Sequence, residues 1–268
     1  MCESFQGVIA LLFDESSSVG APAAFGTFRV LHQVGSGVLG PVFRTCDPRH
    51  ADLIAVKAFR LDLRPEQVVR LADALRRLVV GRPEHPAVAT LLDAGLEGTT
   101  ASLAAEYLTG DTLDIVLRRN GPLTLGHALP FLTPIAEAID AGWAVGVGHG
   151  TLHPRDVFVG TDARGVKLTG LGVAQAIENA ELAVPLRRPY AAPERSRGPW
   201  DIRADVYSLA VIAHELLTGR RPAGATEQDG VFAPEVSPEQ RVAIRHEPLE
   251  KFLQIAPHVR VGILLDRQ

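Results

Sequence analysis

Apolar and polar positions alternate from residue 25 onward, with Phe28, Val30 and Val34 set against Arg29 and Gln33 up to a glycine cluster. Alternation of this kind predicts a strand with one buried face. A turn through Asp47 and Pro48 follows, and Leu53-Ile54-Ala55-Val56-Lys57-Ala58-Phe59 reads as the next strand of a small antiparallel sheet. The period then changes. Pro65 is suited to the first turn of a helix, in which Val68, Leu71, Ala72, Leu75 and Val79 fall on one face. Two more strands are expected around Val88 to Leu92 and Ala101 to Ala105.

Beyond Thr109 the helical period dominates. Leu132, Ile135, Ala136, Ile139 and Trp143 form one apolar stripe, and Leu209, Ile212 and Leu216 another. Pro134 lies inside the first stripe. An interior proline costs a helix roughly 3 kcal/mol, so a kink or a late start is expected there. The organisation expected is an extension or linker over 1–24, a β-rich part over 25–108 and an α-rich part over 109–268, within which 223–238 reads as loop.

Composition narrows the function. A net charge of -4, with Lys and Arg scattered, gives no basic stripe and argues against nucleic-acid binding. The two cysteines, Cys2 and Cys46, have neither disulfide-framework nor zinc-ligand spacing, which points to a reducing compartment. The apolar run Val8 to Phe13 lacks the basic start of a signal peptide, and no stretch approaches the roughly 20 residues of a membrane span. A cytoplasmic location is the resulting expectation.

Gly35-Ser36-Gly37-Val38-Leu39-Gly40-Pro41-Val42 carries a GxGxxGxV pattern, and Ile54-Ala55-Val56-Lys57 follows on a strand. By itself this is better matched by a plain glycine-rich hairpin beside a strand lysine. The order of later segments decides otherwise. Leu103 to Gly110 resembles a protein-kinase hinge with Ala105 as gatekeeper, His149 to Val159 the catalytic loop, and Val166 to Gly172 the strand entering the metal-binding turn. Ala192-Pro193-Glu194 and the stretch Asp205 to Pro222 complete a resemblance to bacterial serine/threonine kinases over about 25–260. It implies an α+β, two-lobed protein-kinase-like fold: a small antiparallel β N-lobe with one helix over 25–108, and a larger α-rich C-lobe over 109–268, abbreviated at its end because 223–238 is loop-like where the family has a helix.

The chemistry of the family does not carry over residue by residue. Where active members read His-Arg-Asp-Leu-Lys-Pro-Glu-Asn, this chain reads His149-Gly150-Thr151-Leu152-His153-Pro154-Arg155-Asp156. Thr151 stands in for the base, and a hydroxyl has neither its charge nor its pKa. His153 stands in for the phosphoryl-steadying lysine, and Gly170-Leu171-Gly172 for Asp-Phe-Gly, so Gly170 brings no ligand for magnesium. Asp156 keeps one oxygen donor and is at most a weak metal position. Arg76 falls where the helix glutamate that pairs with Lys57 is expected, unless the register shifts to Asp73 or Glu66. Between Gly170 and Glu194 there is no Ser or Thr to phosphorylate, Gly150 removes the arginine that would read such a phosphate, and Arg187 replaces a threonine that frames the substrate.

What the resemblance retains is architecture and part of a nucleotide pocket. His149 and Leu171 are expected to pack in the apolar column that joins the lobes, Asp205 to accept backbone N–H bonds from the loop around His149, and Glu194 to pair with Arg260. Nucleotide-binding candidates are Gly35, Gly37, Gly40, Val42, Ala55 and Lys57, with Glu106 and Leu108 at the hinge and Phe158 below the base. ATP is the ligand so implied, and magnesium is poorly supported. A zinc site on His149, His153 and Asp156 is the competing constellation, disfavoured because Pro154 interrupts a helix there. The reading is a pseudokinase acting as a regulatory or scaffold module toward a protein partner the sequence does not identify. The alternative is a weak or atypical ATP-dependent serine/threonine kinase using Lys57 and Asp156, and a copy without a role of its own is a third.

Overall fold

The computed structural model describes residues 22–160 and 165–222. They divide into two compact units. The first holds the described residues up to Val80 together with Thr90–Leu108 and Asn179–Leu182. The second holds Gly81–Ala89, Thr109–Glu178 and the described residues from Ala183 on.

In the first unit, β1 (Ala24–Phe25), β2 (Phe28–Gly37), β3 (Gly40–Asp47) and β4 (Asp52–Phe59) run antiparallel in sequence order. Helix α1 (Pro65–Val80) follows, and β5 (Leu91–Glu97) and β6 (Thr100–Glu106) complete the sheet in the order β1-β2-β3-β4-β6-β5. Side chains alternate across a strand, and the register uses this cleanly. Phe43 faces Val56 and Val56 faces Ala104, and all three are buried with Phe25, Phe28, Ile54 and Ala58. On the opposite side, Val42 faces Lys57 and Arg44 faces Ala55. The helix buries Val68, Leu71, Ala72, Ala74, Leu75 and Leu78. Fully burying a leucine is worth roughly 1.5–3 kcal/mol, and Leu71 and Leu75 are completely covered.

Three expectations drawn from 25–108 need correction. Leu78, not Val79, closes the buried face of α1, because the true period of 3.6 carries the stripe back by one residue over four turns. The strand expected from Val88 begins only at Leu91; Val88 belongs to the second unit, where it makes a lone parallel bridge to Leu168. Cys46 is buried and disulfide-bonded, against the reading of two reduced thiols; Cys2 lies outside the described residues.

The second unit packs helices against the short sheet β7 (Asp111–Thr112), β8 (Val157–Val159) and β9 (Val166–Leu168). The helices are α2 (Leu113–Asn120), α3 (Leu125–Ala144), α4 (Val173–Asn179) and α5 (Ile202–Thr218). Both expected stripes enter one core with Leu152 and Leu168: Leu132, Ile135 and Ile139 from α3, Leu209, Ile212 and Leu216 from α5. The helix α3 does not start late. It runs through Pro130 and Pro134, and the core contacts on either side hold it. Asp201 caps α5 by accepting the Arg203 N–H at 2.9 Å, and Gly219 ends it in the left-handed region. A small antiparallel β lobe with one helix and a larger α-rich lobe are thus both present. Residues 1–21 and 223–268, and with them most of the expected linker, the shortened C-terminal end and Arg260, lie outside the described residues.

Candidate functional site

The first unit contributes the glycine hairpin. Strands β2 and β3 pair up to Gly37 opposite Gly40, and Val38 and Leu39 make the two-residue connection. Arg60 N–H donates to Leu39 C=O at 3.0 Å and ties the turn to the end of β4. The three glycines are not equivalent. Gly40 has φ +128°, and a Cβ there would lie 2.2 Å from Ala58 O, so only glycine fits. A Cβ on Gly37 would meet Lys57 Nζ at 3.1 Å, and one on Gly35 would meet nothing within 4 Å. The Lys57 ammonium donates to Gly40 C=O at 3.1 Å, which holds it beneath the hairpin. On α1, Arg76 donates to Asp73 Oδ1 at 2.7 Å and to Ala94 C=O at 3.3 Å, and Glu66 is exposed.

Val42 and Ala55 are half-buried on the same sheet face as Lys57, where Arg44 stacks over the Tyr107 ring at 5.1 Å. At the hinge, Glu106 N–H donates to Thr90 C=O at 2.9 Å and its carboxylate accepts the Thr90 N–H at 2.8 Å. That N–H is therefore not on offer to a base. Leu108 is half-buried, as is Phe158 on β8 in the second unit.

The second unit carries the loop from Gly148 to Asp156. Asp205, fully buried on α5, organises it: Oδ2 accepts His149 N–H at 2.8 Å and Trp143 Nε1–H at 2.9 Å, and Oδ1 accepts Gly150 N–H at 2.6 Å. His149 is buried, with Nε2 3.0 Å from Thr169 C=O and 3.6 Å from Asp156 Oδ2. Leu171 packs into the core at Gly142, where a Cβ would sit 2.8 Å from its side chain. The chain then enters a short 3₁₀ turn at Pro154–Asp156, so His149, His153 and Asp156 share no α-helix and the zinc spacing has no helical face to act on. His153 turns its ring to Tyr190 at 4.5 Å. Burial first, and then Arg187, lower it to about 4, so it is neutral near pH 7 and supplies no fixed charge.

At the position of the metal ligands the geometry is specific. Arg187 donates from Nη1 to Asp156 Oδ1 at 3.1 Å, from Nη2 to Asp156 Oδ2, and from Nη2 to Thr151 C=O at 2.5 Å. A planar guanidinium matches a carboxylate in this two-point manner. Gly170, at φ +82°, brings no side chain, and the position of its absent Cβ is 3.3 Å from His149 Nε2. Among the described residues no three His, Cys, Asp or Glu side chains gather as metal ligands. One carboxylate already held by an arginine does not fit magnesium, which demands a near-octahedral set of oxygens.

A second network escaped the sequence reading. Arg195 is buried; it donates from Nε to Gly150 C=O at 2.8 Å and from Nη1 to Glu178 at 2.7 Å, and lies over the Trp200 ring at 4.2 Å. Trp200 Nε1–H donates to Glu178 at 2.8 Å, and its ring meets Trp143 edge-on. Tyr190 hydrogen-bonds Glu215 at 2.5 Å, and Ser208 hydroxyl donates to Tyr190 C=O at 2.8 Å. The one available signal was compositional: basic and acidic residues persist through 178–195 although every hydroxyl of Ser or Thr is gone. The partner expected for Glu194, Arg260, lies outside the described residues.

Comparison with known proteins agrees with this order of elements. The family described as Protein kinase domain matches residues 28–257. The serine/threonine-protein kinase pkn2 of Myxococcus xanthus is 34% identical over 209 residues, 74% of this chain and 25% of that protein. The serine/threonine-protein kinase PknA of Mycobacterium tuberculosis is 32% identical over 209 residues, 74% of this chain and 48% of the relative. The similarity thus spans between a quarter and about half of these relatives. Among solved structures, the PknI kinase domain of Mycobacterium tuberculosis superposes with a TM-score of 0.65 at 22% identity, covering 91% of this chain and all of that one, which bears on fold alone.

Proposed function

The chain belongs to the protein kinase domain family, and from that premise we propose that it is a pseudokinase, a nucleotide-responsive regulatory or scaffold module that does not perform metal-assisted phosphoryl transfer. The observation that carries this reading is the two-point seat of Arg187 on Asp156, next to Thr151. Transfer to a hydroxyl needs a carboxylate to take its proton and oxygen ligands to hold a cation. Here the one carboxylate kept by the catalytic loop is neutralised by an arginine, and the base position holds a hydroxyl whose pKa is far above neutral. Losing a positioned acid-base group alone typically costs about 10² to 10⁴ in rate.

No helix among the described residues is long and apolar enough to cross a membrane, and action through a protein partner belongs to the same proposal. A second reading is favoured by the relatives, which carry the name of serine/threonine-protein kinases: a weak or atypical enzyme relying on Lys57 and Asp156. Incubation with ATP labelled in its γ-phosphate separates the two. The pseudokinase reading expects no label in this chain or in added protein; label that is lost in Lys57→Met or Asp156→Ala establishes the enzyme instead.

A further inference from the structure

We propose that the segment 170–194 is fastened to the loop 146–151 by a carboxylate of its own, Glu178, read by Arg195, so that no phosphorylation is needed to order it. The inference goes beyond the pseudokinase reading and holds whether or not the chain transfers phosphate. Both flanks of the segment, 170–178 and 183–194, belong to the second unit, as do Arg195 and the loop. The contact runs along the loop main chain. Gly146 C=O accepts from Gln175 Nε2 at 3.3 Å, Gly148 C=O from Gly172 N–H at 2.9 Å, Gly150 C=O from Arg195 Nε and Thr151 C=O from Arg187. In the other direction, Gly148 N–H donates to Gln175 Oε1 at 2.9 Å. The loop carbonyls are thus taken up by the segment and by the residue that ends it.

Charge decides how the arrangement is held. The Arg195 side chain is 1% exposed, and its Nη2 finds no hydrogen-bond partner. Among the described residues Glu178 is the one carboxylate paired with it; one Glu178 oxygen takes Arg195 and the other takes the Trp200 indole. A buried guanidinium deprived of its anion is strongly unfavourable, so the two flanks of the segment stay together. In a phosphorylated loop the added group brings negative charge to an arginine and orders the chain. Here that charge is built into the sequence, and the segment has no Ser or Thr to modify. Its one tyrosine, Tyr190, is buried and bonded to Glu215.

Hydrogen exchange of the full chain, read by mass spectrometry at labelling times that leave α5 protected, tests this. Phosphatase treatment is expected to leave exchange in peptides covering 146–151 and 170–178 within about threefold of its starting rate. Glu178→Gln, which keeps the shape and loses the charge, is expected to speed exchange there about tenfold or more while α5 stays protected. If Glu178→Gln loses its circular dichroism signal, Gln175→Ala decides: it removes only the bonds to Gly146 and Gly148, and about threefold faster exchange in 146–151 is expected. Exchange that speeds about tenfold on phosphatase treatment overturns the inference. So does a folded Glu178→Gln that exchanges like the parent, or one in which α5 is exposed at the same labelling time, since that marks a general loss of packing. Where Gln175→Ala decides, an unchanged rate overturns it too. Phosphate transfer by this chain would overturn the pseudokinase reading and leave this inference standing.

Discussion

The glycine hairpin and the loop from Gly148 to Asp156 are both tight backbone segments beside a cation, yet they spend that cation differently. Lys57 bonds a main-chain carbonyl at the hairpin, and position 76 of the helix is an arginine committed to Asp73. Arg187 is set directly on the carboxylate that would otherwise hold a metal. The hairpin thus holds its cation on the main chain, while the loop pairs its cation with its own carboxylate. On the pseudokinase reading proposed above, retention of a phosphate-facing element and loss of a metal-facing one would be separable events within one fold.

The comparison can be broken most forcefully at Asp205. Asp205→Ala leaves two buried backbone donors and one partly buried indole donor without an acceptor, at about 1–3 kcal/mol for each buried one, so a loss on the order of 3–5 kcal/mol in urea unfolding is expected. A loss below about 1 kcal/mol would mean the loop is not organised by this residue. On the hairpin side, Gly40→Ala forces a Cβ against Ala58 O from a strained φ and is expected to cost about 1–3 kcal/mol. Tyr190→Phe removes the bond to Glu215 and should cost about 1 kcal/mol in the same assay.

The pH response sharpens the contrast further. His153 titrates at about 4 in the fold against about 6.5 when unfolded. The unfolded chain thus binds more protons between those values, and the stability contributed by neutral His153 is present above pH 6.5 and is lost as pH falls toward 4. Melting temperature should drop across that window, and the drop should be shallower in His153→Phe. The smallest effect is expected from Gly35→Ala, whose Cβ enters open space: a change within about 0.5 kcal/mol. Equal costs at Gly35 and Gly40 would show that the hairpin glycines act as one unit.

Local periodicity made much of this fold legible. The strand through Val56, the helix from Pro65 and the stripe Leu209-Ile212-Leu216 depend on neighbours a few residues away, and they stand where the pattern puts them, whereas the one-faced alternation expected from Phe28 to Val34 fails, because register shifts after Val30 and Gln33 leave Val34 exposed. The passage of α3 through Pro134 was not legible, because the packing that tolerates it comes from α5 and β9. The same limit applies to the site. Substitutions at Thr151 and Gly170 are visible one letter at a time, but the Arg187–Asp156 pair joins residues 31 positions apart and Arg195 reaches back 45 positions to Gly150. Neither has a period to announce it.

Gly150 carries a consequence for any attempt to rebuild the lost chemistry. Its φ is +71°, and a Cβ there would lie 2.6 Å from the Trp200 ring, which is itself pinned by Glu178 and Arg195. An arginine put back at 150 would collide with an indole before it could reach a phosphate. Repair at that position thus demands that Trp200 be replaced in the same step, and the two changes would be far from additive. Packing has turned an absent charge into a one-way door.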